Sequence, residues 1–430
     1  MNPETLKKWN PWWVYGSVPE ERRGIRRDEL LEELSHLINA KEIVGITGVR
    51  RGGKSTILYQ LIDILLSKDV PAKNILYFNF DEPLPENDVY TLDRVHKTFL
   101  ELNNPQGRQY LFLDEIQNIR EWERWVKTQY DLKGEKLKFF VTGSNTSMLS
   151  DSLAKLLTGR LLSQEIYPLS FREYLTFNGF KLRDMDLQKE EIKHHLMKYL
   201  EEGGFPETVL DKNSELNRQR LREYFNSILF RDIVSIREIK ESAKLAELSE
   251  YVATNITGIF SYNKISKTIK LNINTMKEYL HYLQQAYLIF QVNYFSYSLK
   301  ETLAIQKPKK MYMIDNGMRN SVAARFTPDE GKLAENLVFM ELKRRGFDLY
   351  FWKAKNGVDF ITKDQKGSLQ AINVTYGTTI EPREKKGLKE FRETFREVDT
   401  LIITRDIEKT EDEIKHIPLW KWLLQNAKTS

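Results

Sequence analysis

The chain has 430 residues, room for about three domains at roughly 150 residues each. Its 41% hydrophobic and 12% aromatic content is enough for several packed cores and excludes bulk disorder, and 21 Gly and 13 Pro are too few for a collagenous or low-complexity chain. The absence of Cys excludes disulfide frameworks, thiolate zinc sites, iron–sulfur clusters and a cysteine nucleophile, while a net charge of +5 permits a nucleic-acid partner without demanding one.

The first residues carry no apolar segment ending in small residues, and no apolar run approaches the ~18 residues of a membrane span. A cytoplasmic chain without a membrane partner is expected. Trp9, Trp12, Trp13 and Tyr15 near the amino terminus are read as folding back on the domain, with a subunit or partner contact as the alternative.

Strand and helix then alternate, the pattern of a parallel α/β sheet. Helix 29–39, strand 42–47, helix 54–67, strand 74–80, helix 92–102, strand 110–113, helix 122–132, strand 137–142, helix 146–157 and strand 162–167 are expected. From 170 to 240 the pattern is helical, broken at Gly203-Gly204-Phe205-Pro206. Residues 240–315 read as three helices and two strands. A second α/β unit follows, beginning with helix 332–345.

Gly48-Val-Arg50-Arg51-Gly52-Gly53-Lys54-Ser55 fits the G-x-x-x-x-G-K-[ST] phosphate loop and lies between an apolar strand and a helix, as that loop requires. Glycines let backbone N–H groups wrap phosphates, and the helix N-terminus adds its positive end. Gly48, Arg50, Arg51, Gly52, Gly53, Lys54, Ser55 and Thr56 are therefore the expected binding set for ATP, with Lys54 on the β- and γ-phosphates and Ser55 on Mg²⁺. Leu111-Phe-Leu-Asp114-Glu115 is an apolar strand ending in two carboxylates. Asp114 is expected in the Mg²⁺ shell and Glu115 as general base toward water. Asn145 follows the next strand, where it either meets the γ-phosphate or caps a helix. Arg160, after Gly159, is either an arginine finger or a surface arginine behind a helix-ending glycine.

This order, closed by Pro168-Leu-Ser-Phe171-Arg-Glu173, resembles the prokaryotic AAA-type ATPases, and most of all the branch with a C-terminal nuclease-like domain. The resemblance implies a P-loop NTPase fold, with Asn145 as polar sensor and Arg160 as a finger reaching a neighbour's nucleotide, hence a homo-oligomer. Gly204-Phe205-Pro206 is similar to a Gly-x-Pro whose proline touches adenine; Pro206 also reads simply as a first helical residue.

Residues 246–315 look like a winged helix, with Asn274 and Lys277 at the head of the would-be recognition helix and Lys307, Lys309 and Lys310 in a wing expected to contact DNA phosphates. Protein docking is the alternative. Glu335, Asp359 and the strand around Asn373 resemble the PD-(D/E)xK nuclease core. The resemblance implies two metal-holding carboxylates and an (E/Q)-x-K pair, but Asn373 and Thr375 replace that pair. Lys353 or Lys355 is the candidate substitute lysine, and nuclease activity is not expected.

The expected architecture is α/β throughout: a P-loop ATPase core (1–169), a helical lid (170–240), a winged helix (241–315) and a restriction-endonuclease-like domain (316–430). The expected function is Mg²⁺-dependent ATP hydrolysis coupled to DNA. The alternative is a nucleotide-dependent switch in signalling or defence that binds protein partners.

Overall fold

The computed structural model describes residues 1–145, 157, 159–298, 302, 307–324, 329–363, 367–395 and 398–425. They fall into two compact units, residues 1–166 and 167–430.

In the first unit, strands β1 (Ile43–Gly48), β2 (Ile75–Asn79), β3 (Gln109–Asp114), β4 (Leu137–Gly143) and β5 (Leu161–Ile166) form a parallel sheet in the order β2-β3-β4-β1-β5. Side chains alternate between the faces of a strand, so each strand feeds two cores. Leu76, Phe78, Leu111, Leu113, Phe139 and Val141 pack on one side with Val95, Phe99 and Trp122. Ile75, Tyr77, Phe112, Phe140, Val44 and Ile46 pack on the other with Leu34, Ile57, Leu58 and Leu61. The strand order sets β4 between β1 and β3, so the residues that follow all three strands meet along one edge. The expected strands match within two residues at each end. Of the expected helix 146–157, only Leu157 lies within the described residues.

The amino-terminal segment seals the outer edge of β2. Asn10 mimics a paired strand: its Oδ1 accepts the Tyr77 N–H at 2.7 Å and its Nδ2 donates to the Tyr77 carbonyl at 2.8 Å. The Trp12 and Trp13 indoles donate to the Ile75 carbonyl. Trp9, Trp12 and Trp13 thus fold back, Trp9 tilted against Tyr77, Trp12 edge-on to Tyr59 and Trp13 stacked on Phe99, whereas Tyr15 is exposed.

In the second unit, helices Phe171–Phe177, Lys189–Glu202, Pro206–Leu210 and Ser214–Ser227 precede a π-helical stretch, Ile228–Ser235. The first opens with a capping box, Ser170 and Glu173 each accepting the other's backbone N–H. Helices Ser242–Thr254, Tyr262–Ile269 and Ile273–Gln285 follow. Strands β6 (Ile259–Phe260), β7 (Ile289–Tyr294), β8 (Lys309–Met313), β9 (Asp348–Lys353), β10 (Gly357–Lys363), β11 (Leu369–Thr375), β12 (Val398–Thr404), β13 (Lys409–Glu411) and β14 (Ile414–Pro418) form, among the described residues, one nine-stranded sheet. Its order is β13-β14-β12-β11-β10-β9-β7-β8-β6.

The expected boundary at 315/316 does not interrupt this sheet: β7 pairs in parallel with β9 at Asn293–Tyr350 and Tyr294–Phe351. Unpaired strand edges are costly, and here two segments satisfy each other's, a choice no local pattern encodes. Helix Glu330–Arg344 is buried well beyond one apolar stripe: Asn336 and Glu341 are buried with Leu333, Leu337, Val338 and Leu342. Among the described residues no helix is long and apolar enough to cross a membrane.

Candidate functional site

The phosphate loop is built by close approach. A Cβ on Gly48 (φ +148°) would fall 2.1 Å from the Ile166 carbonyl oxygen, and Gly53 holds φ +96° at the head of helix Lys54–Ser67. Gly52 packs 3.1 Å from the Val49 carbonyl oxygen, measured from a Cβ placed on it. Side chains are excluded at Gly48 sterically and disfavoured at Gly53 conformationally. Lys54 is buried. Its Nζ donates to the carbonyls of Gly48 (3.1 Å) and Val49 (3.2 Å) and lies 3.7 Å from Glu115 Oε1. Ser55 and Thr56 are half-buried in the first helical turn. Arg50 pairs with Asp81 at 3.1 Å, and Arg51 is exposed at φ +66°.

Asp114 ends β3 with no solvent exposure. It accepts hydrogen bonds from Tyr77 Oη (2.7 Å), from Thr142 Oγ1 and from Asn79 Nδ2 (3.4 Å). Burial, and then the neighbouring Glu115 carboxylate, push its pKa up, while Ser55, Thr142 and Tyr77 oppose the rise by hydrogen bonding. Two hard oxygen donors, the Ser55 hydroxyl and the Asp114 carboxylate, therefore meet at the loop, the donor chemistry that suits Mg²⁺.

Glu115 adopts a left-handed backbone (φ +51°), a strain of about 1–2 kcal/mol for a non-glycine residue. Its N–H donates to Thr142 Oγ1 at 2.9 Å, and Gln117 Nε2 donates to its Oε2 at 2.5 Å. The short helix Ile116–Asn118 follows. Thr142 thus bridges Asp114 and Glu115 through one hydroxyl, and Gln117 also reaches Ser144 Oγ at 3.4 Å. Sequence reasoning missed Tyr77, Gln117 and Thr142, and also Arg27, which donates to the Gly52 carbonyl at 3.3 Å. Tyr77 and Thr142 reach the site only through pairing between strands and Arg27 only across 25 residues of chain, whereas Gln117 stands two residues from Glu115 and was within local reach.

Asn145 is half-buried just past β4, on the same edge as the loop. Arg160 is at the other end of the sheet. The next residue, Leu161, pairs with Ile43 where β1 begins, whereas the loop follows Gly48, about 16 Å along the strand. Its Nε donates to Asp131 at 3.1 Å and its carbonyl accepts the Ile43 N–H. Arg160 therefore cannot serve the loop of its own chain.

Pro206 is in the second unit, at the first position of helix Pro206–Leu210. The glycines before it permit close contact with Asp315: Gly204 N–H donates to Asp315 Oδ2 at 2.7 Å, and a Cβ on Gly203 would lie 2.2 Å from Asp315 Oδ1.

The wing lysines differ from expectation. Lys309 is buried, donating to the Thr302 carbonyl at 3.3 Å, and Lys310 is buried between carboxylates, so neither contacts external phosphates as placed. Lys307 lies over the Tyr294 ring, 4.8 Å from its centroid. Asn274 is exposed at the start of helix Ile273–Gln285, and Lys277 is half-buried 5.6 Å from the Tyr262 ring centroid. Met276, Tyr279, Leu280 and Leu283 form this helix's buried stripe.

In the C-terminal sheet Glu335, Asp359 and Asn373 do come together. Asp359 N–H donates to Asn373 Oδ1 at 2.9 Å, and Lys310 Nζ donates to both Glu335 and Asp359 at 2.9 Å. The lysine at this cluster is therefore Lys310; Lys353 and Lys355 are exposed. Burial, then Asp359, pushes Glu335 up to about 7, with Lys310 and Tyr312 opposing.

Residues 40–175 match the family described as an AAA domain, and residues 193–329 and 330–422 match two domains of unknown function, DUF8612 and DUF4143. Over 404 residues the chain is 35% identical to the uncharacterized protein MJ1544 of Methanocaldococcus jannaschii, covering 88% of this chain and 87% of that one. The chain belongs to that protein's family. Its first unit carries an AAA-type P-loop ATPase domain. An uncharacterized protein of Haemophilus influenzae is 29% identical across 93% of this chain and 99% of its own. A solved Walker-type ATPase of Pyrococcus abyssi is 13% identical, covers 71% of this chain and 97% of that chain, and superposes with a TM-score of 0.46.

Proposed function

We propose that this AAA-type protein is an Mg²⁺-dependent ATPase whose turnover is coupled to contact with DNA. The observation that carries the reading is the joining of three strand ends into one charged edge: Lys54 lies beside Glu115, and Thr142 holds both Asp114 and Glu115. In this reading the loop from Gly48 to Gly53 wraps phosphates with backbone N–H groups, Gly52 shaping the turn through its own N–H on the Val49 carbonyl at 3.1 Å, while Arg50, Arg51 and Thr56 flank them. Lys54 neutralises phosphate charge, and Ser55 with Asp114 holds Mg²⁺, which supplies charge stabilisation on the transferring phosphoryl group. Glu115 orients water and accepts its proton. Asn145 senses the γ-phosphate edge, and Arg160 completes a neighbouring chain's site in a homo-oligomer. Pro206, the first residue of its helix, stays in the proposed set as an adenine contact on the Gly-x-Pro resemblance alone.

The sequence of helices 242–254, 262–269 and 273–285 with a β6-β8-β7 ribbon supports the winged-helix reading, with Asn274 and Lys277 toward DNA. A second reading, a nucleotide-driven switch for protein partners, is favoured by the burial of Lys309 and Lys310, which removes two cations from the wing.

The test is steady-state ATP hydrolysis with and without double- and single-stranded DNA over a range of salt. DNA stimulation that fades with salt is expected; turnover indifferent to DNA selects the switch. Glu115→Gln is expected to bind ATP while losing at least ~10²-fold in kcat, and full activity in that variant would refute the general base.

A further inference from the structure

The nuclease resemblance calls for a divalent metal between Glu335 and Asp359, and the residues there do not fit one. Glu335 Oε1 and both carboxylate oxygens of Asp359 are engaged by the protein. Glu335 Oε1 accepts from Lys310 Nζ at 2.9 Å and from Tyr312 Oη at 2.8 Å. Asp359 Oδ1 accepts from Lys310 at 2.9 Å, and its Oδ2 accepts the Val374 N–H at 3.0 Å. Asn373, where the Glu or Gln of the pair would stand, is neutral and spent at both ends: Oδ1 on the Asp359 N–H, Nδ2 on the carbonyls of Gly357 (3.3 Å) and Glu384 (3.0 Å). Among the described residues no group of three or more acidic or histidine side chains is arranged to hold a metal.

We infer that Lys310 is this site's resident cation, in the place a divalent metal would take, and that the cluster is a metal-free tie joining β8 to helix Glu330–Arg344 and strand β10. The geometry is that of a bridging ion: one ammonium is equidistant from two carboxylates on different elements, and all three side chains are largely shielded from water. A divalent ion entering beside the ammonium would meet like charge at contact distance, and both carboxylates that would hold it are already paired with that ammonium. The lysine that the strand motif lacks is present, but it comes from β8, which the sheet brings alongside through β7 and β9. Its place is not one from which it could activate water on a metal, because it holds both would-be ligands. The inference concerns the second unit alone and stands whether or not the first unit hydrolyses ATP.

Mn²⁺ binding to the full chain without nucleotide, read by electron paramagnetic resonance of the free ion, tests it. Wild type and Asp359→Asn are expected to bind the same number of Mn²⁺ ions, since the first unit's contribution is common to both. Loss of one Mn²⁺ site in Asp359→Asn would overturn the inference. Thermal unfolding supplies a second measurement. Mn²⁺ in place of EDTA should raise the midpoint of Lys310→Ala by about 2–4 °C more than that of wild type, as the vacated carboxylates take up a cation. Equal responses of the two proteins would overturn the claim that Lys310 keeps the metal out.

Discussion

Glu384 shows how a single side chain reports its surroundings. It opens helix Pro382–Thr394, and burial, followed by the nearby Asp359 carboxylate, pushes its pKa from 4.5 to about 7. Between those values the folded chain holds a proton that the unfolded chain has released, so stability present at low pH is lost as pH rises through 7. Glu384→Gln, uncharged throughout, should match wild type near pH 5 and exceed it near pH 8 by about 1–2 kcal/mol, solvent screening included; urea denaturation at the two pH values measures this. Lys54, Ser55, Asp114 and Glu115 were legible in sequence because each sits in a short run whose chemistry depends on adjacent residues. Tyr77 and Thr142 were not, because each acts on Asp114 from a different strand. Lys310 was read with the wrong sign of exposure: three lysines near a hairpin imply a solvated wing, and only the sheet turns two of them inward.

At the scale of elements, the amino-terminal segment closes β2 with side chains instead of a strand. Asn10 meets both backbone groups of Tyr77, so Asn10→Ala leaves a buried donor and acceptor unpaired. A loss of about 2–3 kcal/mol is expected in urea denaturation, with Tyr15→Ala, on an exposed neighbour, within about 0.5 kcal/mol of wild type. From residue 28 onward periodicity placed the strands and longer described helices of the first unit to within a few residues, because a buried parallel strand and an amphipathic helix advertise themselves locally; the three short helices Pro3–Trp9, Trp12–Tyr15 and Glu20–Arg23 were missed. Strands β13 and β14 and helix Leu419–Leu424 were missed. They are short, and their burial comes from neighbours distant in sequence, such as the pairing of β14 with β12.

For the whole molecule, the position of Arg160 decides between two enzymes. It stands at the start of β5, about 16 Å along the sheet from its own loop. A finger role therefore requires a second copy. Arg160→Ala and Lys54→Ala proteins, each expected to be inactive alone, should regain part of the ATP turnover when mixed, because a mixed oligomer can pair an intact loop with an intact arginine. Absence of recovery would leave Arg160 with a structural role that includes its pairing with Asp131.

The amino-acid order by itself determined the α/β character, the phosphate loop, the acidic strand end and the departure from the nuclease motif at Asn373 and Thr375. Each of these is written in residues close along the chain. Tertiary structure alone decided that β4 stands between β1 and β3, that Thr142 joins the two carboxylates, that the strands expected in separate domains share one sheet, and that Lys310 lies between Glu335 and Asp359. The physical reason is common to all four. Strand edges and buried charges must find partners, and which partner satisfies them is set by the sheet order that leaves the fewest groups unpaired.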